Sequence, residues 1–209
     1  MLPEPLARAT KAKIGKDVTR IIKPPKLSRG DTIGVVATSF PFPFPADEFN
    51  DYYLQYRKGI TELEIMGFKT KEGKNLRKVK WWHAGTPEER AEDINSMYSD
   101  PEVKAIIVHD GGQSAIAVLE HIDYEQVKAN PKPFLGFSDI TNIHSALYTK
   151  TGLVGFHSAL LTYSLGRVWE QYLPSKKGTG KTLLLNVLTS TEPLGRMQPL
   201  TKWECWRKG

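Results

Sequence analysis

Residues Val103-Lys104-Ala105-Ile106-Ile107-Val108 read as a buried β-strand. They run through His109-Asp110 into the pair Gly111-Gly112 and on into a helical stretch, Ser114 to His121. A strand that turns this sharply into a helix raises the turn's side chains above the sheet edge and leaves nearby N–H groups free. Glycine suits the bend because the backbone must turn tightly and a ligand carbonyl must come close. The helix dipole then favours a developing oxyanion. Taken alone, Gly-Gly-x-Ser also fits an ordinary glycine-rich turn.

The neighbouring segments repeat the strand-to-helix theme. A Gly-Asp turn precedes the β-branched run Thr32 to Val36, which opens into the loop Ala37 to Pro45. Tyr53, Tyr56, Ile60 and Leu63 recur at helical spacing before Gly67, and GFKTKEGKNL follows as a short strand and turn. Thr86, Pro87 and Glu89 mark a capped helix start, and Ser99-Asp100-Pro101 stops that helix. Pro133 to Phe137 is a third strand, Ser138 and Asp139 read as an N-cap for the next helix, and Leu153 to Phe156 is a fourth strand. Strands alternating with helices predict an α/β fold, a parallel sheet with helices on both faces. Ligands of such sheets bind beyond the carboxyl ends of the strands, where Ala37 to Pro45, His109 to Ser114 and Gly136 to Thr141 fall.

Composition excludes several classes. The chain has 209 residues, 40% of them hydrophobic and 25% charged, which suits a globular protein with a sizeable core. No apolar run reaches the roughly 18–20 residues of a membrane span, and the start lacks a secretory core, so no membrane association and a cytoplasmic location are expected. Lone Cys205 supplies neither a disulfide nor a cysteine-rich metal cage. The 29 basic and 23 acidic side chains leave a formal +6, but the basic runs lack interleaved aromatics, so no nucleic-acid partner is expected.

Around the turn, LSRGDTIGVVATSFP, TPEERAEDINSMYSDPEVKAII and HDGGQSAIAVLEHIDYEQVKANPKPFLGFSDIT, continuing to YTKTGLVGFHSALL, stand in an order that resembles the LD-carboxypeptidase and microcin-C immunity family of serine peptidases. The resemblance covers about Lys23 to Leu161. It implies a flavodoxin-like or class I glutamine amidotransferase-like N-terminal domain and hydrolysis without metal or other cofactor, by a Ser-His-Glu triad. It also implies an amide substrate cut after an L-residue, in a murein peptide or a peptidyl-nucleotide. On this basis residues 1–25 are read as a basic extension, 26–170 as the α/β domain, and 171–209 as a linker and the start of a truncated second domain.

Two departures bear on catalysis. The family's nucleophile is the third residue after the second glycine, which here is Ala115, and Ser114 stands one residue early. Either the chain is an inactivated form or Ser114 takes over. The first is favoured, because one residue of helix rotation swings a side chain by about 100°. The family's acid and base follow a segment that this chain does not reach, so no peptide hydrolysis by the chain alone is expected. The resemblance places Gly111 and Gly112 in the oxyanion hole, with Ser138, Asp139 and Ser39 beside the pocket. Ser138 and Asp139 are read mainly as buttresses of the turn. An inactive chain that keeps the cleft as a peptide- or nucleotide-peptide-binding module is the alternative, and homodimerisation stays open.

Other candidates are weaker. His109 is expected to point away from the turn, and His121 and His144 to serve as caps or surface residues, with no pair at metal-ligand spacing. Ser175 to Thr182 lacks the first glycine of a phosphate-binding loop and reads as linker before the helix Leu183 to Leu188.

Overall fold

A computed structural model describes residues 20–42, 51–168 and 180–193. Residues 1–19 of the basic extension, most of the linker, the tract before Gly180 and Cys205 lie outside them. Five strands form one parallel sheet: β1 (Thr32–Val36), β2 (Lys69–Glu72), β3 (Val103–Val108), β4 (Phe134–Gly136) and β5 (Phe156–His157). Their order across the sheet is β2-β1-β3-β4-β5. The connecting helices are α1 (Asp51–Ile65), α2 (Pro87–Ser99), α3 (Tyr124–Ala129) and α4 (Thr141–Thr151), and α5 (Gly180–Thr189) follows the sheet. No helix among the described residues is long and apolar enough to cross a membrane.

Period-two side chains explain why both faces are covered. Ile33, Val35, Ala105 and Ile107 enter one apolar cluster with Tyr56 and Leu63 of α1 and Leu184 and Leu188 of α5. Val36, Ile106 and Val108 enter the other, with Ile94 and Met97 of α2 and Ile143 and Leu147 of α4. Strands buried on both sides must be apolar throughout, as Val103 to Val108 is except at Lys104.

Local signals set most boundaries. The expected capping box closes α2: Thr86 N–H donates to Glu89 Oε2 at 2.9 Å and Glu89 N–H to Thr86 Oγ1 at 3.3 Å. The helical stretch after the glycine pair is a 3₁₀ helix, Ala115–His121. Two expectations need correction. Leu153 only bridges to Ile22, and the last strand is Phe156–His157. Ser138 and Asp139 do not cap α4 with their side chains; they lie in a 3₁₀ turn, Ser138–Ile140, with Ser138 at φ 66°.

The turn after β2 docks on α2 through Asp93, 1% exposed, whose carboxyl accepts Asn75 N–H at 3.0 Å and Asn75 Nδ2 at 3.1 Å. Burial pushes that carboxyl from its ordinary 3.8 up to about 6. Between those values the folded chain holds a proton that the unfolded chain has released, so this group's contribution to stability falls as pH rises through the window. The fall is about 2 kcal/mol. Buried His109 and His144, whose pKa values are lowered chiefly by burial, act in the opposite sense. The difference between wild type and Asp93→Asn isolates the term: urea unfolding at pH 4.5 and 7 should show the variant gaining on wild type at the higher pH.

Candidate functional site

In a sheet of order 2-1-3-4-5 the direction of chain crossing reverses between β1 and β3, and the two loops leaving these strands part to open a crevice. A cavity of about 350 Å³ lies there, large enough for a small ligand. Phe40 comes from the loop after β1, Asp110, Gly111 and Gly112 from the loop after β3, and Phe137 and Ser138 from the loop after β4. Tyr52 of α1 and Tyr163, from the π-helix Leu161–Val168, add two more aromatic rings. The Tyr52 hydroxyl donates to Asp110 Oδ2, and burial with the adjacent carboxylate pushes the phenol far above its usual pKa.

His109 does not join the pocket. It is fully buried, its Nε2 lies 2.9 Å from Phe40 O, and Thr162 N–H donates to its carbonyl at 2.8 Å. It ties the first loop to the π-helix, and burial holds its imidazole neutral. His144 is not a cap or surface residue: its Nε2 meets Gly136 O at 3.0 Å and its ring packs edge-on against Phe134.

The structure gathers Ser39, Ser114, Ser138, Asp139 and the glycine pair around the turn, but its amides are not bare as expected. Ser39 Oγ accepts Gln113 N–H at 2.8 Å and Ser114 N–H at 2.9 Å. Asp139 Oδ2 accepts Ser114 N–H and Ala115 N–H, each at 3.1 Å. Gly111 N–H turns to Asp110 Oδ1 at 2.7 Å. Of the amides from Gly111 to Ala115, only that of Gly112 lacks an acceptor among the described residues. Asp139 thus caps the turn from the loop after β4, and Ser39 presents a neutral hydroxyl to two of the turn's amides. The close approach needs glycine: a Cβ on Gly112 would lie 2.7 Å from Ser39 Cβ.

Ala115 is fully buried and packs in the cluster against α2 and α4. Ser114 does not line the cavity. Its Oγ lies 2.9 Å from Arg90 Nη1, 3.1 Å from Ser39 Oγ and 2.9 Å from His83 Nδ1. With both Ser39 lone pairs taken by amides, its proton goes to Ser114 Oγ. Arg90 fills the second lone pair there, and the Ser114 proton goes to His83 Nδ1. Desolvation and the Arg90 charge lower the His83 pKa and keep that ring an acceptor.

Arg90 and His83 are absent from the sequence-based candidates. Arg90 is 2% exposed, and its Nη1 also donates to Thr38 O at 2.6 Å and Ser114 O at 3.2 Å. It stands in the first turns of α2, where an arginine ordinarily reads as a solvated side chain. Among the described residues no group of three or more His, Cys, Asp or Glu gathers as metal ligands do.

Fold and site together define a class: parallel α/β proteins with a small-ligand crevice at the strand-order reversal, floored by a glycine turn. The family model for the LD-carboxypeptidase N-terminal domain matches residues 33–158. The chain belongs to that family. It is 35% identical over 181 residues to a probable murein peptide carboxypeptidase of Bacillus subtilis, covering 86% of this chain and 52% of that protein. To the microcin C7 self-immunity protein MccF of Escherichia coli it is 34% identical over 140 residues, 67% of this chain and 39% of the relative. The structure of MccF in complex with glutamyl sulfamoyl guanosine superposes with a TM-score of 0.70 at 28% identity, over 81% of this chain and 48% of that one. The chain therefore spans about half the length of the relatives it matches.

Proposed function

We propose that this chain holds a small peptide or peptidyl-nucleotide in the crevice and does not hydrolyse it. The observation that carries this reading is the state of the turn. On the resemblance, the residue at the family's nucleophile position is Ala115, which is buried in the core; the amides of Gln113, Ser114 and Ala115 bond Ser39 and Asp139, and Gly111 N–H bonds Asp110, so Gly112 alone in the turn is left to meet an oxyanion. Ser138 is the serine that the cavity presents, and no histidine bonds it among the described residues. The cavity retains the features of a binding site: four aromatic residues, one carboxylate and an open glycine floor.

One contact favours hydrolysis through Ser114, the 2.9 Å approach of its Oγ to His83 Nδ1, because a serine needs an adjacent base. Against it, Arg90 and Ser39 fill both lone pairs of that oxygen, leaving none to attack a carbonyl. Calorimetric titration of the chain with murein tetrapeptide should give saturable binding, weakened about 10-fold by Phe137→Ala. A parallel assay should find no released D-alanine. Absence of binding, or D-alanine release that Ser114→Ala removes, overturns the proposal.

A further inference from the structure

Ahead of β1 the chain crosses from the β5 edge of the sheet to α5 as a strap tied at both ends. Ile22 N–H donates to Gly152 O at 2.8 Å and Val154 N–H to Ile22 O at 2.9 Å, which sets Ile22 beside the chain entering β5. Leu27 N–H donates to Leu188 O at 2.7 Å, in the last turn of α5. Between the two ties run Lys23, Pro24, Pro25 and Lys26. Proline carries no N–H and keeps the residue before it extended, so the middle of the strap leaves no amide in need of a partner. An extended proline stretch turns once in about three residues, which brings Lys23 and Lys26 to the same side of it.

A second cavity, of about 310 Å³, lies against the strap at the amino ends of β4 and β5, the sheet edge opposite the crevice. Its size suits a small ligand. Pro133, Val154, Phe156, Val187 and Leu188 make an apolar floor. Val154, Phe156 and Val187 are only half-buried, so this floor keeps apolar surface that an occupant would take out of water. Lys23 and Lys26 supply the charge. No carboxylate lines the cavity, and neither lysine joins an ion pair among the described residues. Two cations without a counter-ion, set at the rim of an apolar hollow, suit an anion that carries a hydrocarbon body; an inorganic anion would leave the floor uncovered.

We propose that this hollow binds a free aliphatic monocarboxylate, a medium-chain fatty acid, with its hydrocarbon chain on the Phe156 floor and its carboxylate between Lys23 and Lys26. Removal of the chain from water supplies most of the affinity, and the two lysines choose the head group. The crevice offers an anion no such partner, because its charged lining residue is Asp110. The site stands at the other edge of the sheet and does not depend on the crevice reading above.

Sodium octanoate, titrated calorimetrically into the whole chain, tests the site. Saturable binding is expected, about 10-fold or more tighter than that of octan-1-ol or octylammonium, which share the hydrocarbon chain and lack the anion. Lys23→Gln and Lys26→Gln should each weaken octanoate about 5-fold at an unchanged thermal midpoint, since both side chains are exposed. Amide shifts at saturation should gather near residues 23–26, 154–156 and 187–191. An absence of saturable binding, octan-1-ol bound as tightly as octanoate, or affinity indifferent to both lysines would each overturn the proposal. So would amide shifts gathered at Phe40, Tyr52 and Phe137, which would place octanoate in the crevice.

Discussion

Alanine at position 112 will abolish saturable tetrapeptide binding and lower the stability of the chain by about 2–4 kcal/mol. Two costs combine. Gly112 adopts φ 150°, a backbone conformation that L side chains rarely take, and a Cβ there would sit 2.7 Å from Ser39 Cβ and inside contact distance of its hydroxyl. Ser39 is 2% exposed and has nowhere to retreat without releasing the Gln113 and Ser114 amides. Gly30→Ala isolates the backbone term, since Gly30 has φ 91° with nothing within 4 Å of an added Cβ. It should cost about 1 kcal/mol. Urea titrations of both variants, with tetrapeptide calorimetry on the Gly112 variant, make the comparison. Equal losses in stability would mean that Ser39 does not clamp the turn.

Arg90→Met will lower stability by about 3 kcal/mol, the usual scale for stripping a buried donor from several acceptors. One guanidinium nitrogen serves Thr38 O, Ser114 O and Ser114 Oγ, and Nε reaches Thr86 O at 3.3 Å. Without it the loops after β1 and β3 lose their common donor, and tetrapeptide affinity should fall with stability. Arg90→Lys should recover only part of either, because a single ammonium does not reproduce the branched planar donor set. A shifted urea midpoint at unchanged slope, with amide shifts confined to residues near 38, 86 and 114, is the expected result. Full rescue by lysine would reduce Arg90 to a point charge.

Where the determinants are local, the residues announce the structure. β1 falls on the β-branched run Thr32 to Val36, and α2 begins at the capping box of Thr86 and Glu89. The glycine pair marks the turn, because the bend demands glycine whatever surrounds it. Asp139 shows where such reading stops. Its type and place suit an N-cap of α4, yet the left-handed backbone of Ser138 turns it aside, and its carboxylate caps the stretch after β3 instead. Likewise the apolar run Leu153 to Phe156 does not reveal which of its residues finds a neighbouring strand.

By itself the sequence determined a two-sided parallel sheet and the glycine turn at its carboxyl edge, since these depend on residue type and spacing over a few residues. Only the tertiary structure decided that Ser39 and Asp139 occupy the turn's amides and that Ser114 faces Arg90 and His83. Those contacts join residues 24 to 75 positions apart, such as Ser39 with Ser114 and Arg90 with Thr38. Their formation depends on strand register and side-chain direction, which no short-range pattern encodes.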